Sequence, residues 1–240
     1  MAIIEIHDNY SNLGINTRPI TNGEEFDMVN GFIAYKKETF KEKPEKKLAI
    51  FLETKINNAY PDIVFTEYNP FSYEKWNKAR SALNLFDMKI LHYIYTTRNV
   101  TSQKIIKNLS IQYKELLTSL EKLIDAILVT RKNGYWVLHN RDIFGVKKVE
   151  AIEAKISKWD KVMQQALINR TFASESFILS KKMKTLNPEI IMKMDEFGIG
   201  VYIYNNIEFS KIIPAKKRKF PMNYNSIYFN ECIGRILNNN

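Results

Sequence analysis

Apolar positions change period several times along this chain, and each change marks an element. Asn22-Gly23-Glu24-Glu25 reads as a helix start, with Asn22 as N-cap and Glu25 three residues on, as in a capping box. Phe26, Val29, Phe32 and Ile33 then recur at helical spacing. This helix should fade by about Lys37 into a charged loop reaching Lys47. Residues 48–53 (LAIFLE) read as a strand and Asn57-Asn58-Ala59-Tyr60-Pro61 as a turn. Residues 62–68 read as a second strand, so a hairpin is expected.

From Asn84 the period becomes helical. Phe86, Ile90, Leu91, Ile94 and Tyr95 mark one helix, and Thr101 or Ser102 caps a short second one. Residues 111–126 make a third, striped by Leu116, Leu117, Leu120, Leu123 and Ile124. Two short apolar runs then flank Arg131-Lys132-Asn133-Gly134, and Asn-Gly is a strong hairpin signal. Residues 83–140 thus resemble a winged helix-turn-helix. In that family the third helix enters the major groove and the wing touches the backbone. The resemblance makes Lys114, Thr118 and Ser119 groove contacts, and Arg131 and Lys132 wing contacts. Its third helix is not notably basic, so a docking or dimerisation use of the same module stays open.

Alternating elements follow: a strand over 146–156, a helix over 159–170, a strand over 176–180, a helix opened by Asn187-Pro188, and a strand over 199–204. This order predicts βαβ units. The expected division is a first half-domain over 1–74, an insertion over 75–141, a second half-domain over 142–208, and a basic segment over 209–240 that the pattern does not place.

Composition narrows the partners. The formal charge is +10, with the densest basic run at Lys216-Lys217-Arg218-Lys219, and this favours a polyanion such as DNA. No apolar run approaches the ~20 residues of a bilayer span, so no membrane partner is expected. The single cysteine, Cys232, excludes an internal disulfide and fits a reducing cytoplasm. His7, His92 and His139 are scattered, and there is no Gly-rich phosphate loop, which argues against ATP-driven chemistry.

Two stretches carry the chemistry. Tyr60-Pro61-Asp62 opens one strand, and Glu153-Ala154-Lys155 closes another that is apolar on both sides. A buried carboxylate is costly unless it is paired or holds a metal. Side chains two apart share a strand face, so Glu153 and Lys155 point the same way. Other acid-x-Lys triplets exist at Glu45, Glu53 and Asp87, but only Glu153-Ala154-Lys155 has the Pro-Asp before it and a helix directly after. The plain alternative is a salt-bridged Glu153–Lys155 pair with Asp62 as a turn residue.

Together these residues resemble the PD-(D/E)XK, restriction-endonuclease-like nuclease superfamily, over about residues 20–72 and 142–205. The resemblance implies an α/β fold, a mixed sheet flanked by helices, with the winged helix inserted between the motif halves. It makes Asp62 and Glu153 ligands of Mg²⁺ (or Mn²⁺) and Lys155 the catalytic lysine. It adds a glutamine from the following helix, Gln165 in preference to Gln164, and a first-helix glutamate, Glu25, for which the capping box is an equal claim. The implied activity is a metal-dependent DNA endonuclease, with a homodimer expected if both strands are cut. The alternative is a non-catalytic DNA-binding protein.

Overall fold

The structure is a computed structural model and describes residues 3–7, 10, 13–19, 23–57, 59–140, 142–156, 159–181 and 188–238. It divides into two compact units, Met1–Tyr68 with Val146–Met222, and Asn69–Gly145 with Asn223–Asn240.

The first unit is α/β. Its seven strands are β1 (Ile4–Ile6), β2 (Lys47–Leu52), β3 (Ile63–Tyr68), β6 (Val146–Ala154), β7 (Glu175–Lys181), β8 (Gly200–Tyr204) and β9 (Phe209–Ile213), adjacent in that order. The sheet is mixed. β2–β3, β3–β6 and β8–β9 are antiparallel, while β1–β2, β6–β7 and β7–β8 are parallel. Helix α1 (Glu24–Thr39) covers one face, where Met28, Val29, Phe32 and Ile33 pack on Ile50, Ile63, Phe65 and Ile152. On the other face Val162 and Ala166 of α5 (Trp159–Asn169) and Met194 of α6 (Pro188–Phe197) pack on Ile178 and Val201. Covering on both sides explains why the central strands read as unbroken apolar runs. Gly200 is forced by packing, since a Cβ there would lie 2.3 Å from the Phe177 ring.

The second unit holds α2 (Leu85–Thr97), α3 (Ser102–Leu109), α4 (Tyr113–Asp125), the hairpin β4 (Val129–Lys132) and β5 (Tyr135–Leu138), and α7 (Tyr224–Asn238). Asn84 and Asp87 form a reciprocal capping box at the start of α2, and the Thr101 side chain accepts from the Lys104 N–H. Asn133 and Gly134 have φ of 50° and 82°, the two positive values a tight two-residue hairpin turn requires.

The expected boundaries change at the C-terminus. Residues 209–240 do not form one basic segment: β9 closes the sheet edge of the first unit, and α7 belongs to the second. Every residue of α7 from Asn225 to Arg235 is buried. A helix covered all round has no single apolar stripe for periodicity to reveal. Two of its polar side chains, Glu231 and Asn230, are met inside the unit. Glu231 takes Arg80 through both oxygens (2.6 and 3.1 Å), and Asn230 Oδ1 accepts from the Tyr73 hydroxyl and the Gly145 N–H.

Candidate active site

Four chain segments meet at one end of the sheet in the first unit. Glu53 follows β2 and Asp62 precedes β3, so the two acids face each other across the hairpin, with the Glu53 N–H donating to the Asp62 carbonyl (3.2 Å). In the β3–β6 ladder Ile63 lies opposite Ile152, and one further step sets Asp62 level with Glu153. Asp62 Oδ2 accepts from the Ala154 N–H (2.7 Å), which ties the Pro-Asp turn to the end of β6. Lys155 follows that end, held by its own N–H to the Leu179 carbonyl (2.8 Å). Its Nζ reaches Glu25 Oε2 of α1 at 2.5 Å, and Glu25 Oε1 accepts from the Ile156 N–H (3.4 Å). A cleft of about 340 Å³ is lined by Arg18, Glu25, Phe26, Glu53, Asp62 and Lys155 among others.

Arg18 and Glu53 enter this cleft without having been expected there. Arg18 donates to Glu53 Oε2 through Nε (2.9 Å) and Nη2 (2.5 Å), and its Nη2 also reaches Asp62 Oδ1 at 3.3 Å. Glu53 did leave a signal. It ends an apolar strand directly across the turn from the Pro-Asp, yet as an acid-x-Lys triplet it came in the wrong order.

Glu153 is placed differently from its expected companions. It is 3% exposed, it is absent from the cleft lining, and its Oε1 accepts from Asn169 Nδ2 of α5 (2.7 Å). The α5 amide that hydrogen-bonds Glu153 is that of Asn169, where Gln165 was expected. Gln165 is half-buried one helical turn earlier, and no hydrogen bond links it to the acids among the described interactions. Asn169 is the last residue of the helix. Its Oδ1 is buried with no hydrogen-bond partner. For Glu25 the helix begins after Gly23, and its carboxylate serves Lys155. Asn22, its expected capping partner, lies outside the described residues, as does Asn187.

The electrostatics separate two kinds of acid on one strand. Glu150 and Glu153 are each 3% exposed. Glu150 faces α1 and receives Lys36 Nζ (2.6 Å) and Lys148 Nζ (2.9 Å). Burial works against its charge, but those two ammonium groups hold its pKa below the ordinary value. Glu153 has an amide where Glu150 has two cations. Burial, and then the nearby Asp62 charge, push its pKa well above the carboxylate range. Asp62 is raised as well, by burial, against the opposing pull of the Ala154 N–H and Arg18. Glu53 is pushed up to about 7, by burial first and the Asp62 charge second, with Arg18 opposing. Three acids whose charge is disfavoured by burial thus lie close together, with Arg18 bonded to two of them, and a bound cation would relieve their mutual repulsion.

All candidate donors are carboxylate oxygens, the chemistry Mg²⁺ prefers. Among the described residues no three His, Cys, Asp or Glu side chains close on a single point as a metal cage would. Mg²⁺ typically retains several waters and takes one or two carboxylates, so this donor set fits it without a cage.

In the second unit, Lys114 and Thr118 are exposed on α4, and Arg131 and Lys132 on the hairpin. Ser119 is corrected. It is 1% exposed, and its hydroxyl donates to Asp87 Oδ1 (2.7 Å), so it joins α4 to α2 inside the unit. Strand alternation also separates the two hairpin cations. The Arg131 guanidinium lies 5.8 Å from the Trp136 ring centre, and Lys132 lines a cleft of about 550 Å³ with Tyr95, Thr96, Arg98 and Asn99.

Among known proteins, no family model, no curated protein and no solved structure matches the chain. No helix among the described residues is long and apolar enough to cross a membrane.

Proposed function

We propose that this chain is a Mg²⁺-dependent DNA endonuclease of restriction-endonuclease-like design, with α2–α4 and the β4–β5 hairpin acting as a winged-helix DNA-binding module. One observation carries the reading: Glu150 and Glu153 are equally buried on one strand, but among the described residues only Glu150 has lysine ammonium groups at ion-pair distance. An uncompensated buried acid beside a second acid and a lysine is costly as architecture, and such groups cluster at functional sites.

Asp62 and Glu153 would hold the metal, with Glu53 within the same region. When bound, Mg²⁺ neutralises charge on the scissile phosphate and lowers the pKa of a coordinated water. Lys155 places an ammonium at the mouth of the cleft, where it orients a water or offsets charge that grows on the phosphate. Glu25 fixes that ammonium in place, and Asp62 is fixed by the Ala154 N–H. The net charge of +10 and the exposed Lys114, Thr118, Arg131 and Lys132 support DNA as the partner. Cutting both strands would call for a homodimer.

The test is supercoiled plasmid incubated with Mg²⁺ or Mn²⁺, with and without chelator. The expected result is metal-dependent nicking that Lys155→Ala lowers by about 10²–10³-fold, as when one preorganised electrostatic group is lost, while DNA affinity is nearly unchanged. Binding of DNA with no cleavage under any divalent ion would replace this reading with a non-catalytic DNA-binding protein.

A further inference from the structure

Arg18 lies where a cation at Glu53 and Asp62 would lie. Its Nη2 is 2.5 Å from Glu53 Oε2 and 3.3 Å from Asp62 Oδ1, bridging the two acids across the hairpin. The segment carrying it is secured there, with the Arg18 N–H on the Glu53 carbonyl (2.9 Å) and the Lys55 N–H on the Asn16 carbonyl (2.8 Å). The side chain is less constrained than its backbone. It is 46% exposed, against 16% and 18% for the two acids it bridges. The Tyr60 ring lies beside it, with its centre 5.7 Å from the guanidinium carbon, and offers a second resting place for the cation.

We infer that Arg18 is a built-in competitor for the metal. Its guanidinium fills the position between Glu53 and Asp62 in the metal-free protein, and a divalent cation enters only as that guanidinium withdraws. The inference rests on the metal site proposed above and deepens it, because it makes Glu53 a ligand and gives loading a regulated step. The physical ground is charge exclusion. A guanidinium and a divalent cation within one hydrogen-bond length of the same oxygens repel at short range. Arg18 also answers a structural need, since two acids facing each other without a cation would push the hairpin end apart. The competitor therefore lowers metal affinity and keeps the metal-free site folded.

The experiment measures Mn²⁺ binding by titration calorimetry, without DNA, for the wild type, Arg18→Gln, Arg18→Lys and Asp62→Ala. Thermal unfolding of each confirms the fold. Arg18→Gln keeps a hydrogen-bonding amide and removes the charge, and is expected to bind Mn²⁺ about tenfold more tightly, equivalent to about 1.4 kcal/mol. Arg18→Lys keeps the charge and should stay near wild type. A purely structural tether would not tighten binding when cut. Equal or weaker Mn²⁺ binding by a folded Arg18→Gln overturns the competition and leaves the metal site standing, provided Asp62→Ala abolishes binding. Absence of Mn²⁺ binding in the wild type and in Arg18→Gln alike overturns the metal site and the competition together.

Discussion

Glu53→Gln should make the metal-free first unit more stable at pH 8, although it removes half of a salt bridge. A carboxyl moved from its ordinary 4.5 to about 7 carries at most about 3 kcal/mol of unfavourable interaction in its ionised form, and solvent screening at this partly open site reduces it. The sign follows from the protons bound. Between those two values the folded state keeps the Glu53 proton and the unfolded chain releases it, so stability falls as pH rises through that window. Below the window both states are protonated, and the penalty vanishes. Glutamine never ionises, so the variant lacks this decline. The lost pair with Arg18 subtracts little, since Arg18 is 46% exposed and such pairs are worth at most about 1 kcal/mol. The net expectation is a gain of about 1–3 kcal/mol at pH 8 that shrinks to near zero at pH 4.5. Hydrogen exchange of the β2, β3 and β6 amides reads this unit separately from the other. A variant less stable than wild type at pH 8, or one with the same slope between pH 5 and pH 8, would refute the reading of Glu53 as an acid whose charge burial disfavours. By the same logic Mn²⁺ affinity of the wild type should rise with pH across about 7, where Glu53 ionises.

Two further outcomes concern the second unit. Arg131→Ala with Lys132→Ala should weaken DNA binding and reduce the slope of log affinity against log salt by about one to two, as two phosphate contacts are lost, and filter binding at several salt concentrations checks it. An unchanged slope would remove the hairpin from the interface. Glu231→Ala leaves the Arg80 guanidinium buried beside the Ile143 carbonyl and Trp76, so it should destabilise this unit by about 3–5 kcal/mol in denaturant titration, and Arg80→Met with Glu231→Leu should recover most of the loss.

The sequence showed the sheet where it alternates or runs apolar, and lost it where tertiary contacts decide. β2, β3, β6, β7 and β8 each carry a run of Val, Ile, Phe or Leu that only a covered strand explains. β1 is three residues long and owes its pairing to the edge that β2 offers, which no local pattern announces. The same division holds within the site. Asp62, Glu153 and Lys155 were legible because acids inside apolar strands contradict the cost of burying charge. Arg18 was not, because its segment has no regular structure and an exposed arginine in a loop is ordinary. Asn169 and Gln165 both lie on the helix that follows the lysine, and spacing alone does not show where that helix comes closest to the strand. In the structure the Glu153 contact falls to Asn169, the last residue of the helix. The unmet Oδ1 of Asn169 and the Glu153 carboxyl, whose ionised form burial disfavours, therefore sit together under α5, a short step from Asp62 just before the neighbouring strand. On the proposed reading, a bound cation would complete this arrangement. For this reason the site is better read from what its acids lack than from the motif spelling alone.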